Sequence, residues 1–214
     1  ASSDGSKIFL GGGFTTVGGQ AHGRLAAVTA DTGQLITSWT TTTNNNLVRA
    51  LAADSADRLY VGGNFGLIGG RAISRLAAVS QSTGAVDTAF SAQPNNTVRA
   101  LALTDDGSKL YAGGPFTTMG GVGRPGVAEV LPTTGAVTSF APTDGGVVIT
   151  MDVNPSGRLF FGTSSNRTWA YDPADGGVPE YRVRTSGDVQ AILATDEEVY
   201  IGGHFSGLPE VHLE

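Results

Sequence analysis

The 214-residue chain has no cysteine. That excludes a disulfide framework, a thiolate nucleophile and a cysteine-ligated zinc. It fits the cytosol, and equally a secreted protein held by its core alone. Charge is scarce: 15% of residues are Asp, Glu, Lys or Arg, against about 25% in ordinary globular chains. Lys7 and Lys109 are the only lysines, and the formal net charge is −6. An acidic balance argues against a nucleic-acid partner, which would call for a basic face. No apolar run approaches 18 residues, so no membrane span is expected. The three histidines, His22, His204 and His212, show no ligand spacing, so no metal centre is expected. No cofactor is called for either, with calcium left open because oxygen ligands need no signature.

Glycine, in contrast, is abundant, at 32 residues, about twice the usual share. Its placement carries the main signal. A GG-x-F phrase, followed by a second GG, occurs at Gly11-Gly12-x-Phe14, Gly62-Gly63-x-Phe65 and Gly113-Gly114-x-Phe116, with a clipped copy at Gly202-Gly203-x-Phe205. The first three phenylalanines stand 51 residues apart. Self-similarity at such a period indicates a repeat architecture.

Each repeat reads as four short strands. An apolar, aromatic strand B (Ile8 to Leu10, Leu59 to Val61, Leu110 to Ala112) runs into the doublet. Strand C follows the second doublet (Arg24 to Val28, Arg75 to Val79, Gly126 to Val130). A Thr-Gly turn leads to strand D (Gln34 to Trp39, Ala85 to Phe90, Ala136 to Phe140, Val178 to Val183), which ends on an aromatic in the first three copies. A polar loop then leads to strand A (Val48 to Ala52, Val98 to Ala102, Val148 to Met151, Val189 to Ile192), apolar on both faces. Glycine-bounded runs rich in β-branched and aromatic residues are strands. Four-stranded antiparallel sheets repeated at this period are the pattern of an all-β protein of the β-propeller class, with about four to five blades. The chain is read as one propeller domain or propeller fragment over 1–212, with units near 4–46, 47–97, 98–146 and 147–187 and a partial unit at 188–212. Residues 213–214 are read as a cloning scar. The order starts at strand B and ends on a surplus strand B, as in a piece of a larger ring cut inside a blade. Open ends of that kind invite self-association.

The phrase L-Y-V-G-G-x-F, then R-L-A-A-V, T-G, F and V-R-A-L-A, resembles the delta-60 type bacterial β-propeller repeat over residues 4–141, and more loosely over 142–208. A weaker likeness to kelch repeats includes the stretch Trp169 to Pro173. The fourth unit departs from the pattern, with Gly162-Thr163 in place of the doublet. The resemblance implies a propeller fold in a large secreted or surface-attached bacterial protein with adhesive or carbohydrate-active neighbours, and so an extracellular or cell-surface location. It implies no activity for the propeller itself.

The function expected is a non-catalytic binding or scaffold module for a protein or glycan. The alternative is a carbohydrate-active enzyme, a glycoside hydrolase or lyase, whose acids lie partly in missing blades. Glycoside hydrolysis needs paired carboxylates, and the strands offer only Asp152 on strand A and Glu129 on strand C. Most other acids sit in hairpin turns, where turn chemistry accounts for them. Arg49 and Arg99, at the second position of strand A, with Gln190 equivalent and Ile149 breaking the series, are the candidate ligand-binding residues, with Asp152 beside them. They suggest a cationic lip for an acidic sugar or a peptide carboxylate. The glycine doublets are read as backbone devices that permit a bulge or a positive-φ turn, and the phenylalanines as plugs between blades.

Overall fold

The computed structural model describes every residue except 45, 143–145, 208–209 and 214, with the backbone alone for 210–213. The first unit holds β1 (Lys7–Gly11), the two-residue strands β2 (Thr16–Val17) and β3 (Gln20–Ala21), and β4 (Leu25–Thr29). The second holds β5 (Val48–Ala53), β6 (Arg58–Gly63) and β7 (Leu76–Ser80). The third holds β8 (Ala100–Leu103), β9 (Leu110–Gly113), β10 (Thr118–Met119), β11 (Val122–Gly123) and β12 (Val127–Val130). The fourth holds β13 (Val148–Val153), β14 (Leu159–Thr163), β15 (Arg167–Tyr171) and β16 (Pro179–Arg184), and the last β17 (Val189–Ala194) and β18 (Val199–Gly203), followed by β19 (Glu210–Leu213). All pairings are antiparallel, and the A-B-C order recurs as β5-β6-β7, β8-β9-β12 and β13-β14-β15. Among the described residues the only helical segment is a 3-10 turn at Pro173–Asp175, and no helix is long and apolar enough to cross a membrane.

Strand D departs from expectation in the first three units. It makes a single bridge there, Val28 to Leu35, Val79 to Val86 and Val130 to Val137, and then the chain folds inward. The reason is the terminal aromatic. Trp39, Phe90 and Phe140 are buried and meet the aromatic of strand B: Phe9 with Trp39 at 5.7 Å, Tyr60 with Phe90 at 5.5 Å and Tyr111 with Phe140 at 5.8 Å. Burying such a ring outweighs a few edge hydrogen bonds worth about 1 kcal/mol each. In the fourth unit the segment ends on Val183, and its aromatic, Tyr181, meets Phe160 at 6.1 Å from within the strand; here β16 runs as a full strand and pairs with β15 on one side and β19 on the other. Leu213, read from sequence as part of a scar, therefore falls within a strand; Glu214 lies outside the described residues.

The core is divided into clusters, each between consecutive units. Phe9, Leu25, Ala27 and Trp39 of the first unit pack on Val48, Leu59, Val61, Phe65, Ala77 and Val79 of the second. Tyr60, Leu76, Ala78 and Phe90 pack on Val98, Leu110, Ala112 and Phe116 of the third. Tyr111, Val127 and Phe140 pack on Val148, Met151, Leu159 and Phe161 of the fourth, and Phe160 and Ala170 on Ala194 of the last. Strands β5, β8, β13 and β17 pack in series, so strand A is the inner strand toward which the units converge.

The glycine doublets lie opposite strand-A bulges, as at Gly62 and Gly63 and at Gly202 and Gly203, but they do not form the positive-φ turn that was the other expectation. None of the eight has a positive φ; the second GG pairs do, as at Gly69 and Gly70. What the doublets provide is space. A Cβ on Gly11, Gly62 or Gly113 would stand 2.5, 2.8 or 2.5 Å from the strand-A valine of the next unit, Val48, Val98 or Val148. A Cβ on Gly63, Gly114 or Gly203 would stand 2.2, 2.2 or 2.1 Å from the carbonyl oxygen of Leu47, Thr97 or Asp188 beside its own strand A. The first glycine seats the neighbouring unit, and the second seats the hairpin. The phenylalanines act as plugs in the second and third units, where Phe65 and Phe116 are fully buried, whereas Phe14 in the first unit and Phe205 in the last are half-buried.

The turn acids of the A–B hairpins are engaged locally, as turn chemistry requires. The Asp106 carboxylate accepts from the Thr104 hydroxyl at 2.6 Å and from the Ser108 backbone N–H at 2.9 Å, and these bonds lower its pKa from 3.8 to about 2. A depressed folded-state value stabilises the fold above the unfolded-state pKa, and that contribution is lost as pH falls through the folded-state one. Between about pH 4 and pH 2, the urea midpoint of the native chain is expected to fall more steeply than that of Asp106→Asn. Parallel curves would show that the turn contributes nothing in acid.

Candidate functional site

The rim where the strand-A segments begin is built by a repeated irregularity. In β5 the register shifts between Val48 and Ala50, opposite Gly63 and Gly62. The same shift lies between Val148 and Thr150 and between Val189 and Ala191. The extra residue in each bulge is Arg49, Ile149 or Gln190. In the third unit Arg99 precedes β8, and its backbone N–H donates to the Gly113 carbonyl at 2.7 Å. A β-bulge leaves one residue outside the ladder and re-aims its side chain. Three of the four expected candidates, Arg49, Arg99 and Gln190, thus hold equivalent places on one rim. Arg49 and Gln190 are exposed and Arg99 is half-buried.

Asp152 is not brought to them. It lies near the far end of β13, where its Oδ2 accepts from the Ala194 backbone N–H at 2.9 Å and ties the fourth unit to the last. Glu129, the other strand acid, is buried. It accepts from the Tyr111 hydroxyl at 2.7 Å and lies 3.6 Å from the Lys109 ammonium. Burial, and then the Glu129 bond, push the Tyr111 hydroxyl pKa well up, so Tyr111 stays a proton donor to that carboxylate.

The rim also holds residues that sequence reasoning passed over. The backbone N–H of Val98 donates to the Gly63 carbonyl at 3.1 Å, which sets Arg99 close to Asn64. Arg99 Nε and Asn64 Oδ1 are both buried and without a hydrogen-bond partner among the described residues. On the last unit, Gln190 Nε2 donates to Asp188 Oδ2 at 3.0 Å and lies 3.2 Å from His204 Nδ1. Asn64 and His204 occupy the variable slot of GG-x-F, with Gly13 and Pro115 in the other copies. A slot that varies inside a fixed phrase is the signal that could have found them. Arg49 further lines an open cleft of about 480 Å³ with Phe9, Leu10, Phe14 and Leu51. Arg24 and Arg75 open strand C with left-handed backbones, φ 64° and 68°, where the third copy is Gly126. The backbone N–H of each donates to the phenylalanine carbonyl of its own GG-x-F loop, at 2.9 and 3.0 Å. They shape the loop behind the rim.

A solved chain titled "Crystal Structure of Mitotic Checkpoint Complex" superposes on this one with a TM-score of 0.61 and 14% identity, over 84% of this chain and 51% of that one. The fold is of the β-propeller type. The likeness extends to the fold alone, and this chain spans about half the length of that propeller-type chain. No family model and no curated protein matches the sequence.

Proposed function

We propose that the chain is a non-catalytic binding module that engages an anionic group, a peptide carboxylate or an acidic sugar, at the rim carrying Arg49 and Arg99. The observation that carries this reading is the unpartnered pair at the rim. A buried donor and a buried acceptor without partners cost about 1–3 kcal/mol each, and a ligand bearing an anionic acceptor and a hydroxyl or amide donor would satisfy both. The bulge supports the reading at Arg49 and Gln190, since it releases the second residue of strand A from the packing between units. The engagement of Asp152 and Glu129 in structural bonds favours binding over glycoside hydrolysis. The resemblance to the delta-60 repeat supports an extracellular or cell-surface setting in a bacterial protein.

The test is a peptide and glycan array that includes uronic-acid sugars and free C-terminal carboxylates, followed by titration of the best probe. Arg99→Ala is expected to weaken binding about tenfold or more, the worth of one charge-assisted hydrogen bond, with the melting temperature nearly unchanged. A clear loss of stability with unchanged binding would assign Arg99 to the fold instead.

A further inference from the structure

Charge is divided between the two ends of the strands. Within a unit, the start of strand A pairs with the end of strand B, and the end of strand B with the start of strand C, as in Val48 with Gly63 and Gly62 with Leu76. Between units, a Cβ on Gly62 or Gly113 would touch the first valine of the next strand A, Val98 or Val148. These positions form one end of the molecule, the rim; the A–B and C–D turns form the other. Arg24, Arg75 and Arg167 stand at the start of strand C, and Arg49 and Arg99 at the start of strand A. Arg71 and Arg124 stand in the loops before strand C, and Arg182 and Arg184 in the half of β16 that pairs with the start of β15. Nine of the eleven arginines thus lie at the rim. The opposite end is acidic. Its A–B turns hold Asp4, Asp54, Asp57, Asp105, Asp106 and Asp196, and its C–D turns hold Asp31, Asp172 and Asp175.

The formal charge of −6 conceals this polarity. At the acidic end the cations are matched: Arg58 pairs with Asp54 and Asp87, Lys109 with Glu129 and Arg158 with Glu180. At the rim, Arg184 aside, no arginine has an ion pair among the described residues. Arg75 and Arg124 donate to the backbone carbonyls of Pro94 at 3.2 Å and Thr138 at 2.6 Å, and Arg182 lies over the Trp169 ring at 5.5 Å. Arg49, Arg71 and Arg167 are exposed. Arg167 also stands opposite Arg184 in the β15–β16 register, and like charges directly opposite are destabilising. Gathering one sign of charge at one end costs stability through self-repulsion, and an extended anion laid across the rim offsets it. A single carboxylate engages one or two guanidinium groups, whereas the rim offers them in each of the first four units.

We infer that the ligand of the rim is a linear acidic polysaccharide, a chain of uronic-acid residues, that crosses several units. The inference rests on the anion-binding reading above and selects among its ligands. Guanidinium forks match carboxylate and phosphate alike, so the neighbouring groups decide. The buried Asn64 Oδ1 beside Arg99 has no partner among the described residues and needs a hydrogen-bond donor next to the anion. A uronic acid carries hydroxyls beside its carboxylate; the phosphodiester of DNA carries none. Single-stranded nucleic acid stacks its bases on aromatic rings, and a protein partner is anchored by Trp and Tyr pockets. The exposed large apolar side chains at the rim are the aliphatic Leu47, Leu67 and Val122, with no Phe, Tyr or Trp among them. A hydroxyl-rich carboxylate polymer needs neither rings nor an apolar anchor.

Calorimetric titration with polygalacturonate and with digalacturonate, across a salt series, tests it. The native chain is expected to bind the polymer more tightly per uronate residue than the dimer, with an affinity that falls steeply as salt rises, as counterion release requires. The double variant Arg71→Gln and Arg167→Gln changes two exposed positions outside the Arg99–Asn64 pair. It is expected to weaken the polymer about tenfold or more, and to leave digalacturonate binding and the circular dichroism unchanged. Arg71→Gln alone is the second variant should the pair disturb the fold. Lys7→Gln, at the acidic end, should bind as the native chain does. Arg99→Ala should weaken polymer and dimer together, which keeps the two readings apart. Dimer binding that needs Arg99, with a polymer no tighter per residue and indifferent to the double variant, overturns the polysaccharide and leaves the anion site standing. A chain that binds neither probe, and no peptide carboxylate, overturns both. Tighter binding to single-stranded DNA or to phosphatidylglycerol vesicles than to polygalacturonate would assign the rim to phosphate and overturn the inference equally.

Discussion

Gly63→Ala is expected to cost about 3 kcal/mol or more, a large share of the stability of a small domain. The new methyl group would stand 2.2 Å from the Leu47 carbonyl oxygen and 3.1 Å from the Phe65 ring. Relief by backbone movement is closed off on three sides. The Gly63 N–H donates to the Arg75 carbonyl at 2.9 Å, its own carbonyl accepts from Val98 at 3.1 Å, and the neighbouring Asn64 N–H holds the Leu47 carbonyl at 3.1 Å. A shift that frees the methyl group must break one of these. The damage should reach the rim, because Gly63 pairs with Val48 across the bulge that carries Arg49. Gly70→Ala is the matched control. Its φ is +75° with open space around it, so it pays only the left-handed penalty of about 1–2 kcal/mol. Urea denaturation of both variants gives the comparison. Equal losses would show that the close backbone approach does not maintain the doublet.

Tyr111→Ala and Tyr200→Ala change the same repeat position and are expected to differ by about 3–5 kcal/mol. Tyr111 is fully buried against Phe140 and satisfies the buried Glu129 carboxylate. Its removal leaves a cavity and strips that carboxylate of its hydroxyl donor, which together place the loss at about 3–5 kcal/mol. Tyr200 is 56% exposed, and its hydroxyl reaches only the nearby Glu198, so its removal should stay within about 0.5 kcal/mol. The measurement belongs at low protein concentration, where contacts between copies do not contribute. Similar losses at both positions would mean that the last unit is covered in solution even when dilute.

That contrast marks the boundary of what a repeat can tell. Phe9, Tyr60, Tyr111 and Tyr200 are equivalent in the sequence, and nothing local separates them. The packing between units does: the first three have a following unit to enter, and Tyr200 has none among the described residues. Strand D was misread for a related reason. Its alternation and its Thr-Gly turn are genuine strand signals, but the inward pull on Trp39, Phe90 and Phe140 comes from rings more than twenty residues away. The candidate site divides in the same way. Arg49, Arg99 and Gln190 could be picked out as one series by alignment of the repeats. Asp152 could not be separated from them, because its bond to Ala194 crosses between units.

By itself, the sequence determined the period, the all-β class, the positions of strands A, B and C, and the equivalence of the rim residues. These rest on local chemistry: side-chain alternation, glycine-bounded runs and turn residues, each written within a few positions of where it acts. The tertiary structure decided the rest. It showed that the doublets are glycine because a neighbouring valine and a strand-A carbonyl come too close for a Cβ, rather than because φ must be positive. It showed that the second residue of strand A stands in a bulge in three of the four copies, and which copies of a buried position remain bare. Each of these depends on where one unit meets another, a distance that a single sequence carries only as the sum of all its packing.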